Sequence, residues 1–367
     1  MQAPYKKSTV TDVAARAGVS QSAVSHYING RVNVCSAETA ERIKQAIEEL
    51  HFAPSRALRY QGRQATNTIG VSVSLPSEDE TDSPYSYLHR FWSGVSKVVD
   101  QQSYRIMHFP RSMRNSESCN PFLDGSIDGL LISASSSIKR FEVLADAGLP
   151  TVCVSRSADL PASCGCVVAR EEDTAELAMT HLRELGHRRI AYLGSEPGLA
   201  QPGGQPISPT GDPAMRRYNG WRSWAEKCGG EIDDLAMFVK TRCYPSPEEM
   251  IVLAKRLIHI PDAPTAVLCY NDRLAMLLMQ AFKQCGLTLP EEMSVVGVDN
   301  EGACGLFNPP LTSVEVPVTE IGQRATEMLI GMLRGTGSAQ HVEIPVTQLV
   351  VRSSTCPPRK GTPAEGQ

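Results

Sequence analysis

The amino-acid sequence predicts a small helix-turn-helix lobe followed by a large α/β domain made of two Rossmann-like halves. Three observations carry this. Residues 10–50 repeat apolar side chains at helical spacing, with Gly18 between the first two runs. From Thr68 onward, short apolar runs alternate with amphipathic stretches. That alternation occurs as two sets, which implies two parallel sheets covered by helices on both faces. At 367 residues the chain has ample volume for such cores.

Composition narrows the function classes. An apolar share of 41% with 21% charged residues excludes a wholly disordered chain. No apolar run reaches the roughly 18 residues that span a bilayer, and MQAPYKKSTVTD lacks a signal-peptide core. A cytoplasmic protein with no membrane partner is therefore expected. The eleven cysteines are scattered, no C-x-x-C occurs, and Cys164 and Cys166 have no second ligand pair nearby. Reduced thiols are expected rather than disulfides, and neither a metal nor another cofactor. The net charge of −4 conceals an asymmetry: residues 1–63 hold nine Lys or Arg against five Asp or Glu, and the rest hold 27 against 35. A polyanion is attracted to the first part and repelled by the second.

Thr9 and Asp12 have the spacing of a capping box, opening a helix with Val13, Ala14 and Ala17 on one face. Gly18 ends it. Ser20 offers the next N-cap, and Ala23, Val24, Tyr27 and Ile28 repeat at helical spacing, leaving Gln21, Ser22, Ser25 and His26 on other faces. A third helix runs from Ser36 to about Leu50 with Ala40, Ile43, Ala46, Ile47 and Leu50 as its inner stripe. A glycine turn between the first two helices suits a second helix that enters a major groove by its N-terminus.

The string D-V-A-x-x-A-G-V-S-x-x-x-V-S-x-x-I-N, Asp12 to Asn29, resembles the DNA-binding lobe of the lactose/galactose repressor (LacI/GalR) family of bacterial transcription regulators. The resemblance continues through SAETAERIKQAIEEL and FAPSRALR and then along nearly the whole chain. It implies base reading by Gln21, Ser22 and His26. It implies backbone or hinge roles for Thr9, Ser20, Ser25, Asn29, Arg31, Ser55, Arg56, Leu58 and Gln61. Relatives often carry arginine where His26 stands, and histidine offers one nitrogen per contact where arginine offers a fork. The alternative for His26 is a phosphate-contacting or solvent-facing residue. Lys6, Lys7, Arg31 and Arg56 are phosphate candidates, and the loop GRVNVC is one residue longer than the family spacing. The family's hinge helix pushes a leucine into the minor groove; here Gln61 holds that position and Leu58 lies one turn earlier.

In the α/β part, TIGVSVSL reads as a strand, Leu88 to Val99 as a helix, Tyr104 to His108 and DGLLIS as strands, and LADAGLPTVCVS as a helix end and strand. The rhythm recurs from DTAELAMTHLRELGHRRIAYLGS to MSVVGVDN. Residues 109–126 are short for the helix of relatives, and residues 77–83 and 196–214 read as solvated loops able to lid a cleft. The resemblance implies a periplasmic-binding-protein-like arrangement. The resulting division is a DNA-binding domain at 1–53, a hinge at 54–66 and an effector domain at 67–356. Its first subdomain covers about 67–167 and 317–345, its second about 168–316 and 346–356, and a disordered tail covers 357–367.

Ligands of such sheets sit beyond the carboxyl ends of the strands. Arg156, Asn271 and Asp299 fall there, with Arg217 ahead of the helix holding Gly220 and Trp221. The family positions matching Arg217, Asn271 and Asp299 imply a small-molecule effector: a sugar, sugar phosphate or purine-like compound. A carboxylate accepts from hydroxyls and a guanidinium donates in a fixed fork. Tyr85 is a candidate stacking platform, while Trp221 reads as core. Helix capping is the alternative for Asn271 and Asp272, and mutual pairing for Arg217 and Asp299.

A homodimeric regulator, most simply a repressor on a double-stranded operator, is the reading these features favour. Two others compete: a transport-type ligand-binding protein, and an enzyme on a doubly wound sheet. The absence of a secretory leader and the presence of the helical lobe count against the first. No G-x-G-x-x-G, Walker loop or G-x-S-x-G supports the second, so no catalytic residue is expected.

Overall fold

The computed structural model describes residues 8–28, 36–50, 52, 65–73, 87–110, 113, 118–133, 138–154, 159–195, 213–227, 235–239 and 245–359. Thr9 opens α1 (Val10–Ala17) with a reciprocal capping box. Its Oγ1 accepts from Asp12 N at 3.3 Å, and Asp12 Oδ2 accepts from Thr9 N at 2.7 Å. Two N–H groups that the helix itself leaves open are thereby satisfied. Gly18 closes α1 at φ +66°, a left-handed turn that a Cβ would strain. In α2 (Gln21–Ile28) Ser20 Oγ caps Ala23 N at 3.2 Å, and in α3 (Ala37–Glu49) Ser36 Oγ caps Thr39 N at 3.2 Å. Val13, Ala17, Val24, Ile43, Ala46 and Phe52 bury together at the centre. Arg16 pairs with Glu49, and Ser8 Oγ donates to Leu50 O at 3.0 Å, which ties both ends of the lobe together.

The α/β part forms two six-stranded sheets. The first contains β1 (Thr68–Ser72), β2 (Arg105–His108), β3 (Gly129–Ser133), β4 (Thr151–Val154), β5 (Cys164–Ala169) and β11 (His341–Ile344), in the order β11-β5-β4-β3-β1-β2 and parallel throughout. The second contains β6 (Ile190–Ser195), β7 (Ala236–Val239), β8 (Ala266–Cys269), β9 (Ser294–Val298), β10 (Thr312–Glu315) and β12 (Gln348–Val350), in the order β12-β10-β9-β8-β6-β7. Only the β10–β12 pairing in it is antiparallel. All residues of β1, β4, β5, β6, β8 and β9 are buried, as strands covered on both faces require. In each sheet the strand order reverses once beside the first strand, at β1/β3 and at β6/β8. That crevice is where doubly wound sheets hold ligands.

Helices α4 (Tyr87–Gln102), α5 (Asn120–Leu123), α6 (Ile138–Asp146) and α11 (Val318–Arg334) cover the first sheet. Helices α7 (Glu172–Glu184), α8 (Pro213–Lys227), α9 (Pro247–His259) and α10 (Asp272–Gln284) belong to the second. Helices α4 and α11 touch backbone to backbone. A Cβ on Gly94 would strike the Thr319 carbonyl, and one on Gly322 would strike that of Phe91. The chain passes between the lobes three times, after β5, after β10 and between β11 and β12.

Arg217, expected ahead of the helix that holds Gly220 and Trp221, lies within that helix, α8, which starts earlier, at Pro213. The first sheet runs through Ala169, close to the approximate boundary at 167, with β11 pairing with β5 up to Ile344↔Ala169. Residues 357–359 are ordered rather than tail. His187 Nε2 donates to Cys356 O at 2.9 Å, Ser294 Oγ accepts from Cys356 N at 3.1 Å, and Arg359 pairs with Glu292 at 3.5 Å. The loop 77–83, most of 196–214 and residues 54–64 of the expected hinge lie outside the described residues.

Candidate functional site

Two places in the fold present functional side chains. The first is the outer face of α2. With Val24 fully buried against α1 and α3, helical geometry turns Gln21, Ser22 and Ser25 outward, where they are exposed, and His26 is partly exposed beside them. Thr9 and Ser20 are both engaged as helix caps. Asn29, Arg31, Ser55, Arg56, Leu58 and Gln61 lie outside the described residues.

The second is a cluster at the carboxyl ends of β5, β8 and β9. Arg217 reaches it from α8 with only 5% of its side chain exposed. Its Nε donates to Glu171 Oε2 at 2.6 Å, its Nη1 to the Tyr270 carbonyl at 2.7 Å, and its Nη2 to Asp299 Oδ1 at 3.4 Å. The guanidinium also lies 4.9 Å from the centre of the Tyr270 ring. Arg217 and Asp299 thus meet, as their mutual pairing required, with Glu171 as the closer partner. Asp299 sits at φ +107° directly after β9, and Arg90 of α4 donates to its carbonyl from the opposite lobe while pairing with Glu315 at 3.7 Å. Burial pushes the Asp299 carboxyl up to about 7; Arg217 opposes this, and the Glu301 and Glu171 carboxylates reinforce it.

Behind Asp299 lies Asp272, fully buried. Its Oδ1 accepts from Ser313 Oγ at 2.5 Å and its Oδ2 from Glu301 N at 2.7 Å. Burial, then the nearby Asp299 charge, pushes its carboxyl up to about 8. This bracing holds the 299–301 turn, in which Asn300 is also left-handed at φ +50°. Asn300 donates from N to Ser313 Oγ at 3.0 Å and accepts from Arg352 at 2.7 Å. Asn271 caps α10 through its Oδ1, which accepts from Leu274 N at 2.9 Å. Tyr85 and Arg156 lie outside the described residues. Trp221 is fully buried with Nε1 donating to Ile190 O at 3.2 Å.

Sequence reading missed Tyr270, Glu171, Tyr87 and Arg90 in this cluster. Glu171 resembles one more acid at a helix start, followed as it is by Glu172 and Asp173. Tyr87 stands two residues beyond the expected Tyr85, and its phenol is held above the usual range by burial, then by Glu171 and Asp299. Arg90 crosses from the other lobe, which no strand-end rule reveals. Among the described residues, Ser72 and Ser195, the last residues of β1 and β6, bury hydroxyls without a hydrogen-bond partner, as does Tyr192. No group of three or more His, Cys, Asp or Glu among the described residues is arranged to hold a metal. No helix among them is long and apolar enough to cross a membrane.

A helical lobe with an outward polar helix, joined to two lobes that close on a polar cluster, defines a ligand-binding regulator with a separate DNA-binding head. Comparison with known proteins agrees. Residues 9–55 match the lacI family of bacterial regulatory proteins, and residues 179–355 match the periplasmic binding protein-like domain. The chain thus carries a DNA-binding domain of the lacI family and a periplasmic binding protein-like domain. It is 28% identical over 353 residues to the HTH-type transcriptional repressor PurR of Vibrio vulnificus, covering 95% of this chain and 98% of that protein. The PurR of Vibrio atlanticus is 26% identical with the same coverage. Among solved structures, a CelR–cellobiose complex superposes with a TM-score of 0.66 at 23% identity, covering 95% of this chain and all of that one. The Lac repressor dimer bound to operator and the anti-inducer ONPF gives 0.64 at 24%, covering 96% and all of that chain.

Proposed function

We propose that this protein is a transcriptional repressor that binds a pseudo-palindromic operator as a homodimer and answers to a small molecule in the cleft between its lobes. The observation that carries the reading is the α2 face: the lobe's apolar residues pack inside, while Gln21, Ser22 and Ser25 are exposed on the outer side of a capped helix. A two-fold dimer presents two such helices, and half-sites one helical turn apart receive them. In this reading Gln21, Ser22 and His26 read bases, the basic residues of the N-terminal part meet phosphates, and the protein acts in the cytoplasm without catalysing a reaction. The effector is a sugar, sugar phosphate or purine-like compound held among Arg217, Asp299 and Tyr87, with Arg90 linking its occupancy to the opposite lobe. Binding shifts the lobes only as far as the ligand discriminates between their arrangements.

Selection of operators from a random duplex pool at moderate salt tests this. A two-fold symmetric sequence is expected to emerge, bound at least about a thousandfold more tightly than random duplex. Recovery of no symmetric sequence overturns the reading. His26→Ala is expected to relax preference at a few base pairs by about 1–3 kcal/mol each. Uniform weakening across all sequences instead assigns His26 to phosphate.

A further inference from the structure

The arginine in the cleft does not stand alone. Glu171 Oε2 takes Arg217 Nε at 2.6 Å, Asp299 takes Nη2 at 3.4 Å, and the Tyr270 carbonyl takes Nη1 at 2.7 Å. Both carboxylates are largely buried with it, at 9% and 12% side-chain exposure. The second guanidinium near the cluster, Arg90, is matched by Glu315 at 3.7 Å. Neighbouring Arg216 turns the other way, forking onto Glu172 at 2.9 and 2.6 Å and pairing with Glu343 at 2.9 Å. Each of these three guanidiniums is thus matched by at least one carboxylate.

We infer that Glu171 is a specificity-determining positioning residue: it fixes Arg217 and cancels its charge, so that the cleft admits uncharged hydrogen-bonding ligands and turns away phosphorylated ones. This rests on the cleft being the effector site. An anion brought beside Arg217 would meet two carboxylates at the same guanidinium, and the buried setting strengthens that repulsion. An uncharged ligand meets none of it and still finds acceptors in Asp299 and Glu171 and donors in the tyrosines.

The test titrates sodium sulfate, a doubly charged stand-in for a phosphoryl group, against thermal unfolding of the full-length chain, with sodium chloride at matched ionic strength to remove general salting-out. Wild type is expected to show no saturable stabilisation by sulfate. Glu171→Gln keeps the size of the side chain but removes its charge. It is expected to gain a saturable response, with sulfate affinity raised about tenfold or more. Glu171→Asp should restore the refusal, which a merely structural role for Glu171 does not predict. Saturable uptake of sulfate by wild type overturns the inference, as does a Glu171→Gln protein that gains none. Should that variant not fold, the wild-type titration decides alone. Operator selection on the same preparations is independent, so failure of the regulator reading shows as loss of a symmetric site while the sulfate comparison stands by itself.

Discussion

The helical lobe and the cleft use polar residues in opposite ways. On α2 the polar side chains of Gln21, Ser22 and Ser25 are exposed to water, where an outside partner can reach them. In the cleft, Arg217, Glu171, Asp299 and Asp272 have left water and bond to one another, to Ser313 and to backbone groups. The difference teaches that the first surface contributes to recognition with little claim on stability, whereas the second carries recognition and stability together. Replacing a residue on α2 therefore changes what is bound; replacing one in the cleft first changes whether the second lobe stays folded.

The largest effect that sharpens this contrast is expected at Arg217. Arg217→Ala leaves Glu171 and Asp299 buried without their cation and is expected to cost about 3–5 kcal/mol in urea unfolding of the full chain. A loss no greater than that of a surface residue breaks the comparison. Next comes Thr9→Ala, which removes the capping box of α1 and should cost the helical lobe about 1 kcal/mol. Operator affinity should fall while the melting of the α/β part is unchanged.

The smallest effect is expected at Asp272. Its carboxyl and that of Asp299 bind a proton more tightly folded than unfolded. The stability they add is full below the ordinary carboxylate range near about pH 4, and it is lost as pH rises through about 7 for Asp299 and about 8 for Asp272. At neutral pH Asp272 is thus mostly protonated, and Asp272→Asn is a near-isostere that should change stability by less than about 1 kcal/mol. It should also flatten the decline in urea midpoint between pH 5 and pH 8.5 on the wild-type curve. A variant that keeps the full slope assigns the decline to other groups.

Much of the architecture was legible because it follows from periodicity. The capping box at Thr9 and Asp12, the turn at Gly18 and the buried stripe of α3 are local patterns, and they appear in the structure where their spacing puts them. The strand-end rule pointed to Asp299 and the family resemblance to Arg217, and the two side chains meet. What the sequence concealed is pairwise. Glu171 carries the same composition signal as Glu172 beside it, yet one faces Arg217 and the other Arg216. Nothing local separates them, since the difference lies in which side of a helix start meets the cleft. Asn271 and Asp272 show the same limit: one caps α10 and the other braces the 299–301 turn from within.

The contact of α4 with α11 has a consequence for how the protein is made. Gly94 and Gly322 let these helices meet backbone to backbone, and α11 and β11 lie near the end of the chain. As synthesis proceeds, the segment through Ala169 emerges early, yet it lacks the helix that covers Phe91 and Val95 and the strand that completes its edge beside β5. The first lobe stays unfinished until residue 344 has left the ribosome, after nearly all of the second lobe, so the lobe that begins first is the one completed late.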